Sequence, residues 1–211
     1  MLERNIVIID DNPNVETVYI PIYNRKISKL KKADSKWNSY SFNFKHFSTM
    51  KAALEYLSKS SSYVDVLVVD YDYNGETTFS DGTAFVEYVR NHINCYCQII
   101  FYTMHGASSI AVNEWAKLVN SDVFRFIDKR TNDNALAAAI FEAATKRNPI
   151  VESLERFWTK YRTMLETYTY TFDGESITFE EIINHIRMDD ELGRVFIEKL
   201  MHKAILTNIE I

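Results

Sequence analysis

The sequence predicts an α/β protein: a five-stranded, parallel, doubly wound sheet followed by a small all-helical C-terminal domain, divided at residues 1–147 and 148–211. Three observations lead there. Short apolar runs alternate with helical patterns five times over, which specifies parallel strands joined by right-handed helical crossovers. The run VLVVD (66–70) is apolar at consecutive positions, as a strand covered on both faces must be. Residues 1–148 carry equal numbers of acids and bases, so the whole net charge of −5 falls on residues 149–211, a change of character that marks a second unit.

The elements follow in order. Ile6–Ile9 is a short buried strand ending in Asp10-Asp11. A helix from Asn12-Pro13 runs toward Lys32, and Pro21 inside it should kink or split it, because proline lacks an N–H and crowds the preceding turn. The basic stretch RKISKLKK (25–32) is either a solvated helix end or a surface for an anionic partner. Residues 41–45 alternate as a second strand, Thr49–Leu57 is helical, and Val64–Val69 is the third strand. Asn74–Asp81 is loop, Gly82–Ile93 helix, and Gln98–Thr103 the fourth strand. Ser108–Val119 is helix, Val123–Ile127 the fifth strand, and Asp133–Lys146 an Ala-rich helix.

Composition is that of an ordinary globular protein, 46% hydrophobic and 25% charged. No apolar run reaches the roughly 18 residues that span a bilayer, and Ile6–Ile9 is too short for a signal peptide, so a cytoplasmic location without membrane contact is expected. Cys95 and Cys97 in CYC read as free thiols, since a C-x-C disulfide is strained.

In such sheets chemistry sits at the carboxyl ends of the strands. Those ends carry Asp10 and Asp11, then Asp70, then Thr103, then Asp128-Lys129. Three converging carboxylates repel one another, and a divalent cation holds them ionised together. All-oxygen ligands in small number suggest Mg²⁺, which keeps several waters and shares phosphate oxygens. Lys129 supplies a point charge and Thr103 a donor for a phosphoryl oxygen, and a carboxylate can itself take up the phosphoryl group. The inventory is that of phosphoryl transfer.

Over residues 4–147 the chain resembles the receiver domain of two-component response regulators. The resemblance rests on IVIIDD with Asp10-Asp11, VLVVD with Asp70, IIFYT with Thr103 and FIDK with Lys129, in that order. It implies a flavodoxin-like fold and a Mg²⁺-dependent phosphoacceptor rather than an enzyme. Asp70 would take a phosphoryl group from a histidine kinase or phosphotransfer protein. Asp11, Asp70 and the backbone carbonyl of Asp72 would bind the metal, and Asp10 would act through water. Thr103 and Lys129 would bind the phosphoryl group, and Phe126 stands at the aromatic switch position. The chain departs from the pattern in a long loop after Asp70, an extra acid at Asp72, the bulky Met104 after Thr103, and Arg130 where the family has proline. Two other readings compete. Hydrophobic-run-DxD also opens haloacid-dehalogenase-type phosphatases, with Asp70 as nucleophile and Asp72 as general acid/base; against this, the acid pair precedes the motif and no cap domain intervenes. A receiver-like scaffold that is not phosphorylated is the third.

The tail opens at Asn148-Pro149, a cap followed by a first-turn proline. Ile150, Leu154, Phe157, Tyr161, Met164 and Tyr168 then follow three- and four-residue spacing. A helix over 149–168 would either pack within its own domain or form a homodimer. TYTFDGESITF (169–179) reads as a hairpin or as a turn into a helix. Thr178 with Glu181 makes a capping box and Ile177 with Ile182 a hydrophobic staple, which favours the helix start. A last helix carries Leu192, Val195, Phe196 and Leu200. Acids beside its few basic residues argue against DNA binding. An effector or dimerisation role is expected of this unit.

Overall fold

The computed structural model describes residues 2–59, 64–72, 78–93, 97–104, 108, 110–129, 133–146, 149–172, 174–188 and 190–209. The chain forms two compact units, residues 1–146 and 147–211.

The first unit is a parallel sheet of β1 (Leu2–Ile9), β2 (Tyr40–Phe47), β3 (Val66–Asp70), β4 (Gln98–Thr103) and β5 (Val123–Asp128), in the order β2-β1-β3-β4-β5. This is the flavodoxin-like order, and it reverses direction between β1 and β3. The register sets Ile9 beside Val69 and Asp70 beside Tyr102, so the ends of the central strands are level.

Alternation divides the apolar side chains between two layers. Ile6, Ile8, Val66, Val68, Ile100 and Tyr102 face α1 (Ile20–Lys32) and α5 (Asp133–Thr145). Val7, Ile9, Leu67, Val69, Ile99 and Phe101 face α2 (Met50–Leu57), α3 (Gly82–His92) and α4 (Val112–Asn120). Period-two alternation thus feeds two cores from one sheet. Thr49 and Asp81 cap α2 and α3 by accepting hydrogen bonds from the Ala52 and Ala84 amides at 3.2 and 2.9 Å.

Three sequence expectations change in this unit. The first helix does not begin at residue 12: a π-helical turn, Val15–Tyr19, precedes α1, and Pro21 falls in the first turn of α1, where its missing N–H costs nothing. The helix expected from Ser108 starts at Val112, where Glu114 accepts the Ala111 amide at 3.2 Å. β1 and β2 are longer than their apolar runs, because each pairs with the other along eight residues. Cys97 is a buried thiol whose Sγ accepts from Arg90 Nη1 at 3.8 Å; Cys95 and Arg130 lie outside the described residues.

The second unit comprises α6 (Pro149–Lys160), α7 (Arg162–Leu165), β6 (Thr169–Phe172), β7 (Glu175–Thr178), α8 (Phe179–Met188) and α9 (Glu191–Ile209). It is not all-helical: β6 and β7 form an antiparallel hairpin with Gly174 at φ 87°, the left-handed region that glycine adopts without strain. The hairpin and helix-start readings are both realised, because Thr178 ends β7 and caps α8. Its hydroxyl accepts the Glu181 amide at 3.2 Å while Glu181 accepts the Thr178 amide at 2.8 Å. The Thr178 amide first, and then the Thr178 hydroxyl donating to Glu181 Oε2 at 2.8 Å, hold the Glu181 carboxyl below its ordinary range. Ile177, Ile182, Ile183 and Ile186 are buried around this start. Thr178→Ala is expected to cost about 1 kcal/mol, read as a lower midpoint in urea.

The continuous helix over 149–168 is also corrected. It breaks at Tyr161, and Phe157, Tyr161, Met164 and Tyr168 of its apolar stripe are exposed, whereas Val151 and Leu165 face the core. The last helix likewise packs the half-buried Leu192 and Phe196 against this core but exposes Leu200.

Candidate functional site

The reversal of strand order opens a crevice beyond the ends of β1 and β3, and the acids stand in it. Asp70 is the last residue of β3 and Asp10 the first after β1; they are only 4% and 3% exposed. Asp10, Asp11 and Asp70 each place a carboxylate oxygen within 4.8 Å of the others.

Lys129, just beyond β5, reaches into this group. Its Nζ donates to Asp10 Oδ2 at 3.1 Å and also to Asp70 Oδ2. Asp10 is held on every side: Oδ1 accepts the Asn12 amide at 2.8 Å, Oδ2 also accepts the Tyr102 hydroxyl, and its carbonyl accepts His46 Nε2 at 2.7 Å. A carboxylate so occupied is a positioning group. Asp70 differs. Its Oδ2 meets Lys129, but its Oδ1 is buried and has no hydrogen-bond partner among the described residues. Such an atom is costly unless something binds it. Burial, opposed by Lys129 and aided by Asp10, raises the Asp70 pKa from 3.8 to about 6.

Thr103 ends β4 fully buried, and its hydroxyl donates to Asp72 Oδ2 at 3.3 Å. Asp72 and Met104, the latter 57% exposed, stand on the wall of the same cleft. Phe126 is elsewhere. It packs in the opposite layer, 4.8 Å from the Trp115 ring and 6.1 Å from Phe101. Six of the seven expected site residues therefore gather at the strand ends, and Phe126 sits behind them.

Two contributors escaped the sequence reading. Tyr102 precedes Thr103, so alternation turns it to the other face, where its hydroxyl meets Asp10 and its ring lies 4.2 Å from Lys129 Nζ. The signal was a tyrosine at the penultimate position of a strand otherwise apolar. Tyr71 follows Asp70, and its hydroxyl donates to Glu114 Oε2 at 3.1 Å. Glu114 also caps α4, so the residue beside Asp70 is tied to the start of that helix. Burial first, then Glu114, pushes the Tyr71 hydroxyl up to about 12.

The carboxylate set fits a divalent cation. Three hard oxygen donors converge, one orphaned oxygen points to a missing partner, and among the described residues no sulfur or imidazole ligand joins them.

No model of a known protein family and no curated protein matches the sequence. Solved structures do. A response regulator receiver protein from Pseudomonas putida is 15% identical, covering 67% of this chain and 98% of its own, with a TM-score of 0.49. A receiver domain protein from Methanospirillum hungatei is 14% identical over 68% of this chain and 94% of its own, TM-score 0.47. A structure described as an adenylate cyclase from Rhodopirellula baltica is 20% identical over 75% and 99%, TM-score 0.46. The flavodoxin-like description of the first unit rests on its own strand order, β2-β1-β3-β4-β5. The unit's function is read from the geometry of this chain's own strand ends. Among the described residues no helix is long and apolar enough to cross a membrane.

Proposed function

We propose that the protein is a phosphorelay receiver that accepts a phosphoryl group on Asp70 and passes the change to its C-terminal unit. The observation that carries this is Asp70 Oδ1: a buried carboxylate oxygen with no hydrogen-bond partner among the described residues, at a strand end, on an acid that pairs with a lysine and groups with two further carboxylates. Residues with these properties collect at sites of chemistry.

Asp11, Asp70 and the backbone carbonyl of Asp72 would hold Mg²⁺, with Asp10 reached through water. The metal would neutralise charge on the transferring phosphoryl oxygens. Asp70 must be ionised to attack, and Lys129 opposes the burial that protonates it. Lys129 and Thr103 then donate to the phosphoryl oxygens. The donor would be a histidine kinase or phosphotransfer protein. The exposed apolar residues Phe157, Tyr161, Met164 and Tyr168 suit self-association or a protein target of the second unit better than DNA.

The test is intact mass after incubation with acetyl phosphate and Mg²⁺. One added phosphoryl group is expected. No adduct but phosphate release dependent on Asp70 and Asp72 would identify the phosphatase instead. No adduct and no turnover would leave a scaffold.

Asp72 gives a second readout. Its carboxylate holds the hydroxyl that the phosphoryl group needs. Asp72→Asn is expected to change the lifetime of the phosphorylated form severalfold, followed by mass over time; an unchanged lifetime and Mg²⁺ affinity would remove Asp72 from the site's chemistry.

A further inference from the structure

The cleft is larger than a phosphoryl group requires. Its volume is about 430 Å³, within the range of small-molecule sites. An ion, three waters and a phosphoryl group fill roughly the room of seven waters, about 210 Å³ at ~30 Å³ per water. The remainder runs from the acids toward α1 and α5. Its walls are Val15, Tyr19, Tyr23, Ile127 and Leu136, none of which carries a charge. Val15 and Tyr19 are presented by the π-helical turn, a local irregularity often found at functional sites. Tyr19 and Tyr23 stack at 6.4 Å, one helical turn apart. One concavity therefore joins a charged end, where Asp70 Oδ1 lacks a partner, to an apolar and aromatic annex.

We propose that the annex receives the organic part of a small phosphoryl donor, an acyl phosphate whose acyl group is apolar and of ring size. This deepens the phosphoacceptor reading and rests on it. A divalent cation would offset most of the charge of the four carboxylates that one lysine leaves uncompensated, which lowers the repulsion of an anionic donor. The phosphoryl end lies toward Lys129 and the acyl end against the tyrosines. In the transfer an Asp70 oxygen forms the bond to phosphorus, and the bond from phosphorus to the acyl oxygen breaks. The electron pair leaves with the carboxylate, and no proton is moved. An acetyl group is too small to reach the walls; a benzoyl group is not.

The test compares acetyl phosphate with benzoyl phosphate as donors to the full chain with Mg²⁺, scored by intact mass. The ratio of second-order rate constants is expected to favour benzoyl phosphate by about tenfold or more. Burying only about 55 Å² of apolar surface in the annex gives that factor. The ratio is expected to fall toward one in Val15→Phe, which fills the annex. Calorimetry supplies a readout that needs no transfer: phenylphosphonate should bind at least about tenfold tighter than methylphosphonate. Equal labelling rates with equal phosphonate affinities would overturn the annex and leave the phosphoacceptor standing. Labelling by neither donor would overturn the phosphoacceptor, and the annex's role with it.

Discussion

Asp70→Asn is expected to abolish phosphoryl uptake and at the same time to stabilise the metal-free protein. The two effects share a cause. Asp70 is buried with one oxygen unpartnered, and folding raises its pKa from 3.8 to about 6. A carboxyl raised in the folded state is bound more tightly to its proton there than in the unfolded chain. Below about pH 4 both states are protonated and Asp70 costs nothing. Between about pH 4 and 6 the unfolded chain has released its proton while the folded one retains it, so stability falls as pH rises. Above about pH 6 the full penalty applies, up to about 3 kcal/mol at ~1.4 kcal/mol per unit. Asparagine removes the charge, so its gain should be absent at pH 4 and complete by pH 7. Urea melts of both proteins across that range check it. A gain independent of pH would show that charge burial is not the cause. Saturating Mg²⁺ should narrow the gap, adding about 2.7 kcal/mol to the wild type at a hundredfold excess over the dissociation constant and less to the variant.

Gly82→Ala is expected to be the most damaging small substitution in the first unit. Gly82 opens α3 directly beneath Asp70, and its amide donates to the Tyr71 carbonyl at 3.1 Å. A Cβ there would overlap the backbone oxygen of Asp70 and stand 3.0 Å from its carbonyl carbon and 3.1 Å from Phe101 Cε2. The obstacle is the backbone of a central strand, which cannot step aside as a flexible side chain could. A loss of about 3–5 kcal/mol follows from this overpacking. Whatever protein remains folded should have Asp70 displaced, with phosphoryl uptake reduced at least about tenfold. Asp81→Ala makes the comparison useful. It removes only the cap of α3 and should cost about 1 kcal/mol. If the two variants melted alike, the close approach of α3 to β3 would carry no energetic weight.

The sequence legibly encodes the sheet because the signal is one of period and length. Five apolar runs of strand length, each followed by a helical pattern, admit few parallel arrangements. It also located six of the residues that meet at the strand ends, since a residue's position at the end of a strand is a local property. The capping pairs Thr49 with Ala52 and Thr178 with Glu181 are local as well, joining residues three apart. The tail was misread where two local signals overlapped. Thr178 serves a strand and a helix at once, and a stripe of three- and four-residue spacing proved to be the exposed side of a broken helix.

What this sequence determined by itself is therefore the flavodoxin-like architecture of the first unit and the set of groups at its strand ends. Tertiary structure decided how those groups are shared. Tyr102 and Lys129 reach Asp10 across 92 and 119 residues of chain, and so the Asp10 carboxylate is well supplied with donors while Asp70 Oδ1 has no hydrogen-bond partner among the described residues. Tertiary structure likewise joined Val15, Tyr19 and Tyr23 from the start of α1 to Leu136 of α5 around one cleft. Partners so distant carry no spacing signal. Hydrogen-bond saturation and cavity volume belong to the packed arrangement, and no segment of the chain holds either on its own.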